Sequence, residues 1–277
     1  MEKEHLGGIA IIIALILIVV YGGVRAPAIL GTFSLNQQRP LSQNQTSGGN
    51  SAGSQTANNT SPYATKVSMY LNRSSDPSRE YITIRAGDPS PLLVSGWTVK
   101  SLSSGSSATI PKGTKLYFTD SGNSEGDIYL LSGDTMYLST GKSPNGYSFQ
   151  VNKCSGYLTR FQNFTPSVNM ICPLARNEDL SKIPKYVSND ACFNYIDSYP
   201  RCKIETGTLP VEWSPECKNF ITNLNYSSCV SKHKDDTDFY QPEWRVFLKR
   251  GQSLWKNERE TIVLVDSDGK TVSSISY

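Results

Sequence analysis

Hydrophobic residues follow two different patterns along this chain, and the first is a long apolar run near the amino terminus. Leu6 to Val24 contains no charged residue, and Ile9 to Val20 is apolar throughout. A buried globular helix does not account for this run, because no polar face interrupts it. A helix over this stretch is about 28 Å long, close to the roughly 30 Å hydrocarbon core of a bilayer. We therefore predict one transmembrane helix within residues 1–25.

The residues after the apolar run are compatible with either an uncleaved membrane anchor or a cleaved signal peptide. Arg25 is followed by Ala26-Pro27-Ala28, which is similar to the small-residue site of a cleaved signal peptide. The run is long for a signal peptide, however, and the preceding Lys3 is offset by acidic neighbours. The favoured interpretation is an uncleaved signal-anchor, single-pass, with the C-terminal domain outside the cytoplasm. A removable signal peptide is the alternative.

Polar residues dominate the next stretch. From Gln37 to Ser61 the chain consists mostly of Gln, Asn, Ser, Thr and Gly, with almost no large apolar side chain. Such a composition cannot bury enough surface to offset the entropy lost on ordering. We predict a flexible linker over residues 26–62 and a folded domain over residues 63–277.

The second hydrophobic pattern begins at Glu80 and consists of short alternating runs between turn residues. EYITIRAG places Ile82 and Ile84 on one face, and VSGWTVKS places Trp97 and Val99 on one face. Similar runs are ATIPKGTKLYF, GDIYLLSGDTMYLSTG, GYSFQVNKCSGYL, WRVFL, ETIVLV and TVSSIS. About seven to nine strands with few helices between them predict a mainly β, two-sheet β-sandwich. Trp97 is expected to fill the space between the sheets, with Gly96 letting the backbone bend.

A different periodicity interrupts the strands over residues 173–243, which we call the insertion. SNDACFNYIDSYP places apolar residues on one helical face, namely Cys192, Ile196 and Tyr199. In WSPECKNFITNLNYSSCVSKHK, Ser214 is a suitable N-cap and Pro215 a suitable first helical residue. We predict one helix over 215–231, packed antiparallel to the first as a helical hairpin.

The six cysteines all lie after the apolar run, at 154, 172, 192, 202, 217 and 229. They predict disulfides in an oxidising space, although six cysteines allow 15 pairings. On one helix, Cys217 and Cys229 stand about 18 Å apart, too far for a bond. An antiparallel hairpin brings together Cys192–Cys229 and Cys202–Cys217, leaving Cys154–Cys172. Zinc is the rival interpretation, but no C-x-x-C occurs and only His233 lies near the cysteines.

Charge and composition narrow the function classes. The net charge is +3 with no block of like charge, so no nucleic-acid partner is expected. Hydrophobic residues make up 38% and there are 15 tyrosines, which suits a β-rich extracellular domain.

Catalytic chemistry has little support in the sequence. The chain has two histidines and no nucleophile, zinc-protease or phosphate-loop motif. The acidic residues Asp235, Asp236 and Asp238 miss the spacing of a calcium loop, so a solvated turn is favoured over a cation site. We assign no catalytic residue, no metal ligand and no cofactor, and expect a non-enzymatic protein.

Exposed aromatic residues on such a fold bind sugars or protein partners. Trp213, which precedes the second predicted helix, is the candidate for exposure, together with His233 as a second candidate binding residue. Trp244 and Trp255 flank a predicted strand and are expected in the core.

Several motifs in order resemble the lamin tail domain family. They are EYITI (80–84), SGWTV (95–99), TIPKGT (109–114), GDIYL (126–130) and ETIVLVDSDGKTV (260–272). The resemblance covers about residues 79–160 and 244–277 and implies an immunoglobulin-like fold. That family includes nuclear lamins and secreted or surface-anchored bacterial proteins, and the apolar segment makes this chain similar to the bacterial branch. The family implies no catalytic residues, and the insertion departs from its pattern.

These expectations define one favoured function and two alternatives. The favoured one is a membrane-anchored extracytoplasmic binding or scaffolding protein, with the insertion as its partner-specific surface and a protein or glycan as partner. The alternatives are a carbohydrate- or cell-envelope-binding module and a hydrolase.

Overall fold

A computed structural model of the chain describes residues 59–120 and 122–277. The predicted transmembrane helix and all of the predicted linker before residue 59 lie outside these residues. Within the described ranges, no helix has the length and apolar character needed to cross a membrane. The described residues are mainly β, with several sheets, three short α helices and three disulfides.

The described part of the chain contains eleven strands. They are β1 Val67–Asn72, β2 Tyr81–Ala86, β3 Leu92–Leu93, β4 Thr98–Ser101, β5 Ser107–Thr109, β6 Tyr129–Leu130, β7 Thr135–Ser139, β8 Phe149–Asn152, β9 Tyr240–Phe247, β10 Thr261–Val265 and β11 Thr271–Ser276. The helices are α1 Asp190–Asp197, α2 Pro215–Thr222 and α3 Tyr226–His233, with 3₁₀ segments at Ser155–Arg160, Ala175–Asn177 and Val187–Asn189.

Two sheets share one hydrophobic core. The first has the order β1-β2-β7-β9-β8 and the second β11-β10-β4-β5, while β3 and β6 form a separate ribbon. Side chains alternate between the two faces of each strand, so every second residue points into the core. The buried cluster therefore contains residues of both sheets, namely Ile82 and Ile84 of β2 and Ile262 and Leu264 of β10. Trp97 lies in this cluster with 1% of its surface exposed, as the sequence predicted.

Two glycines with positive φ allow the backbone to turn, and the bend at Gly96 was predicted. Gly96 has a φ of +88°, in the region that favours glycine, and it directly precedes the buried indole. Between β10 and β11, Gly269 has a φ of +78° and its N–H donates to the carbonyl of Asp266. The glycines therefore let each chain reversal occur without a Cβ in a strained conformation.

The first strand begins earlier than the alternating pattern indicated. The pattern predicted strands from Glu80 onward, whereas β1 precedes Glu80 and pairs antiparallel with β2, with Val67 opposite Ala86. Asn59 and Ser61, within the predicted linker, hydrogen-bond to Thr271. Alternation of Val67 and Met69 in VSMYLN was the available signal for β1.

The second predicted helix is interrupted in the structure. Instead of one helix over 215–231, α2 ends at Thr222 and α3 begins at Tyr226. The side chain of Asn225 accepts a hydrogen bond from the Ser228 N–H and caps α3, which competes with continuing α2. The first predicted helix and the Ser214 cap are confirmed, the Ser214 hydroxyl accepting from the Cys217 N–H.

Glu260, just before β10, is a buried carboxylate that organises a loop. Its oxygens accept hydrogen bonds from the Ser101 hydroxyl and from the N–H groups of Ser103, Lys256 and Thr261. Burial acts to raise the pKa of Glu260, but the hydrogen bonds led by the Ser101 hydroxyl outweigh it and hold the pKa at about 2. The ionised form therefore stabilises the fold.

We expect Glu260→Gln to lower the free energy of unfolding at pH 7 by about 3 kcal/mol. The folded pKa lies below the unfolded one near 4.5, so this stability is present above pH 4.5 and is lost as pH falls towards 2. Urea titrations of both proteins between pH 7 and pH 2 check this, since their difference should shrink over that window. Glu258→Gln, at an exposed neighbour, is the control. A constant difference would contradict the expectation.

Candidate functional site

All six cysteines form disulfides, but each pair differs from the one predicted. The bonds are Cys154–Cys229, Cys172–Cys202 and Cys192–Cys217, and there is no free cysteine in the described residues. The predicted pairs Cys154–Cys172, Cys192–Cys229 and Cys202–Cys217 are therefore wrong. Three disulfides indicate an oxidising, extracytoplasmic environment.

The break between α2 and α3 explains the different pairing. Cys217 on α2 faces Cys192 on α1, and these two helices share a small core. Cys229 lies on the separate helix α3, which packs on the 3₁₀ segment that follows β8 and so reaches Cys154. Because the prediction assumed one continuous helix, it placed Cys229 on the wrong side of the hairpin.

The disulfide Cys172–Cys202 is packed tightly against backbone. A Cβ built on Gly156 would lie 2.3 Å from the Cys202 sulfur and 2.9 Å from the Cys172 sulfur. Only glycine fits this position, which lies in the 3₁₀ segment after β8. The bridge therefore fixes the segment that leads to Phe161.

Two grooves border α3. The first, which we call the aromatic groove, has a volume of about 420 Å³ and joins the insertion to the loop after β5 and the 3₁₀ segment. Its lining residues are Thr119, Asp120, Tyr157, Leu158, Phe161, Gln162, Ile204, Asn225, Tyr226, Ser227 and Ser228.

The second groove, which we call the polar groove, has a volume of about 930 Å³ and lies wholly within the insertion. Its lining residues are Asn177, Glu178, Asp179, Lys182, Ile183, Glu216, Asn219, Phe220, Asn223, Ser227, Ser228, Ser231, Lys232, His233 and Asp236. Ser227 and Ser228 line both grooves, so the first turn of α3 lies between them.

The first turn of α3 is fixed to the body of the domain by Tyr226. The buried hydroxyl of Tyr226 donates to the carbonyl of Tyr117 and accepts from the side-chain amide of Asn152. Burial raises the pKa of Tyr226 well above its ordinary value, so the phenol remains neutral. Burial likewise raises the pKa of Tyr157, in the aromatic groove, to about 12. Both phenols therefore serve as uncharged groups.

His233, a predicted binding residue, lines the polar groove and joins two of its sides. Its Nε2 lies 2.9 Å from Glu178 Oε1 and its Nδ1 lies 2.9 Å from Asp236 Oδ2. Because carboxylates only accept, a ring nitrogen that carries a hydrogen donates it to the carboxylate that it faces. Lys232 adds an ion pair to Glu178 at 3.3 Å. His233 thus holds the segment that contains Glu178 against the end of α3.

Acidic residues after His233 form ion pairs with Lys153. Lys153 contacts carboxylate oxygens of both Asp236 and Asp238. Hydrogen bonds, first from Lys153 and then from His233, lower the pKa of Asp236. In the described ranges no group of three or more His, Cys, Asp or Glu side chains is arranged to hold a metal ion.

Trp213, the other predicted binding residue, is not available to a ligand. It is 6% exposed and packs in the α1–α2 core, with its ring centroid 5.2 Å from that of Tyr195. The prediction that Trp213 is exposed is wrong because α1 covers its side chain. The local sequence does not show this contact. Trp244 and Trp255 are buried, as predicted.

Phe161 and Gln162 are the residues that sequence reasoning missed. Phe161 is 73% exposed at the edge of the aromatic groove. The side-chain oxygen of Gln162 is buried and has no hydrogen-bond partner in the described structure. No periodic signal marks them, because they lie in an irregular segment fixed by the disulfides.

Comparison with protein-family models, with curated proteins and with solved structures finds no match to this chain. The resemblance to lamin tail domains therefore rests on the sequence motifs alone. The site must be interpreted from its own chemistry.

Proposed function

We propose that this chain is a non-enzymatic, extracytoplasmic binding protein held at a membrane by its apolar amino-terminal segment. In this proposal an immunoglobulin-like sandwich, similar to a lamin tail domain, is the scaffold, and the insertion with its bordering grooves is the ligand-binding surface. The two sheets around one core support the scaffold. The three disulfides support the extracytoplasmic location.

One observation carries the binding role. The two grooves meet at the first turn of α3, which is anchored by Tyr226 and by the disulfide of Cys229. A ligand-binding surface needs side chains fixed before the ligand arrives, because ordering them on binding reduces affinity. Here α3, which is a short and polar helix, is held in place by these two contacts and has polar groups on both sides.

The hydrolase alternative has less support than binding. Several ionisable residues of the polar groove contact one another, as Glu178 does with His233 and Lys232. A general acid or base needs a free path to its substrate. The carbohydrate-binding alternative gains a specific observation, the exposed Phe161 next to Gln162, whose side-chain oxygen has no hydrogen-bond partner in the described residues.

The proposal predicts that the purified, oxidised full-length chain retains a component of cell-envelope fractions. Ser228→Arg should abolish this retention, because Ser228 lines both grooves and its side chain is not needed for the α3 cap. Ser274→Arg, at an exposed position on β11, is the matched control. The bound fraction is quantified after elution.

Two results would contradict this proposal. One is equal retention by the wild-type chain and Ser228→Arg, or none by either. The other is turnover of generic hydrolase substrates by the wild-type chain.

A further inference from the structure

The ring of Phe161 lies in water although Tyr157 and Leu158, one turn earlier in the same segment, are buried. Tyr157 and Leu158 are 5% and 4% exposed, whereas Phe161 is 73% exposed. The chain that leads to Phe161 is held by two hydrogen bonds: the Phe161 N–H donates to the carbonyl of Leu158, and the guanidinium of Arg160 donates to the carbonyl of Cys202. The aromatic face is therefore presented at the edge of the aromatic groove by a backbone held from its amino-terminal side.

An unpartnered polar group lies beside this ring. Gln162 lines the aromatic groove, and its side-chain oxygen is buried without a hydrogen-bond partner among the described residues. Buried acceptors in native structures nearly always have a donor. A rotation of the Gln162 side chain that opens this oxygen to the aromatic groove would let a hydroxyl of a bound ligand donate to it.

The polar groove extends the surface beyond α3 with neutral polar groups. Exposed side chains of Asn219, Asn223 and Ser231 offer amides and a hydroxyl. Glu178 and Asp236 form ion pairs with Lys232 and Lys153, and the other charged lining residues, Asp179, Lys182 and Glu216, are of both signs. Because no block of like charge lines the groove, this chemistry suits a ligand rich in hydroxyl groups rather than a strongly ionic one.

The shape and the secondary structure disfavour a peptide. None of the residues that line either groove belongs to a strand, so no open strand edge is present there to pair with an extended peptide. A helical peptide that spans both grooves needs a continuous apolar floor, and the polar groove interrupts it, since Ile183 and Phe220 are its main apolar residues.

From these features we propose that the two grooves form a binding site for a neutral, linear oligosaccharide. One sugar places its C–H face on the Phe161 ring, and one of its hydroxyls donates a hydrogen bond to the side-chain oxygen of Gln162. Sugars further along the chain contact Asn219 and Ser231 across the first turn of α3. The face of an aromatic ring carries partial negative charge and attracts the C–H groups of a pyranose. This inference rests on the proposed binding function and names its ligand class.

The test uses defined probes and the full-length oxidised chain. The probes are β-1,4-linked glucose, N-acetylglucosamine and mannose oligomers and α-1,4-linked glucose oligomers, titrated by calorimetry. The polysaccharide fraction from the envelope of cells that express the chain is a further probe, with bound sugar measured after acid hydrolysis. We expect saturable binding of at least one probe, with affinity that increases from two to five sugar units.

Variants assign the binding to the grooves. Phe161→Ala should weaken binding about ten- to thirtyfold, as for a central aromatic contact. Gln162→Ala should weaken it about three- to tenfold, as for one hydrogen bond. Tyr70→Ala removes another exposed aromatic residue, on β1, and should change nothing. Thermal unfolding of each variant verifies that it is folded.

The outcomes separate this inference from the proposed function. If the component retained from envelope fractions is destroyed by protease and survives periodate oxidation, the ligand is a protein and the oligosaccharide inference is wrong, while the binding function stands. If neither the oligomers nor the polysaccharide bind, or if Phe161→Ala binds them as the wild type does, the inference also fails. If no envelope component is retained at all, both fail.

Discussion

Removal of the Cys154–Cys229 disulfide by Cys154→Ala and Cys229→Ala together should lower the free energy of unfolding by about 4 kcal/mol. The bond joins cysteines 75 residues apart, so it removes more conformational entropy from the unfolded chain than the other two, whose cysteines are 30 and 25 residues apart. It also attaches α3 to the segment after β8. Urea unfolding followed by circular dichroism measures the change.

Loss of the Cys154–Cys229 disulfide should also change the structure locally, and this change provides a second measurement. Without the bond, amide hydrogens of α3 should exchange faster, and ligand retention should fall because α3 borders both grooves. The matched control, Cys192→Ala with Cys217→Ala, should loosen α1 and α2 instead. Peptide mapping of the unreduced wild type should recover the linked Cys154 and Cys229 peptides. A stability change below about 1 kcal/mol would contradict the assigned role.

Trp97→Ala should destabilise the domain by about 3–5 kcal/mol, which is typical of removing a large buried aromatic side chain. The indole is 1% exposed and lies in the cluster formed by both sheets, with its ring centroid 5.5 Å from that of Tyr63. Its removal leaves a cavity that rigid sheets on both sides cannot close.

Two further variants test whether packing is the cause. Trp97→Phe keeps an aromatic ring at the position and should cost less than Trp97→Ala, because the remaining cavity is smaller. Tyr70→Ala removes a ring that is 58% exposed and should change the free energy of unfolding by less than about 0.5 kcal/mol. Equal effects of Trp97→Ala and Tyr70→Ala would show that Trp97 does not support the core.

Local interactions made the strands and the first helices predictable. Alternation in YITIRA placed Ile82 and Ile84 inside, and Gly96 marked the turn before Trp97. The cap at Ser214 also formed as expected. These features depend on neighbours within a few residues, and such contacts can be read from the order of the side chains.

The site was less predictable, since it depends on contacts between distant segments. A helix break at Asn225 changed the partner of every cysteine, and packing by α1 covered Trp213. His233 was predicted as a binding residue, which stays a prediction, and its contact with Glu178, 55 positions away, was not evident from the sequence. Phe161 was missed because an aromatic residue between polar neighbours, with no regular periodicity, does not show whether it faces the core or water.

The sequence by itself determined a mainly β domain, the positions of its core residues and the presence of disulfides. It also set the expectation of a membrane segment and of an extracytoplasmic location. Only the tertiary structure decided which cysteines pair, which aromatic residues face water and where the grooves lie. The physical reason is that strand alternation and helix caps arise from adjacent residues, whereas exposure and disulfide partners are fixed by the packing of segments far apart in the chain.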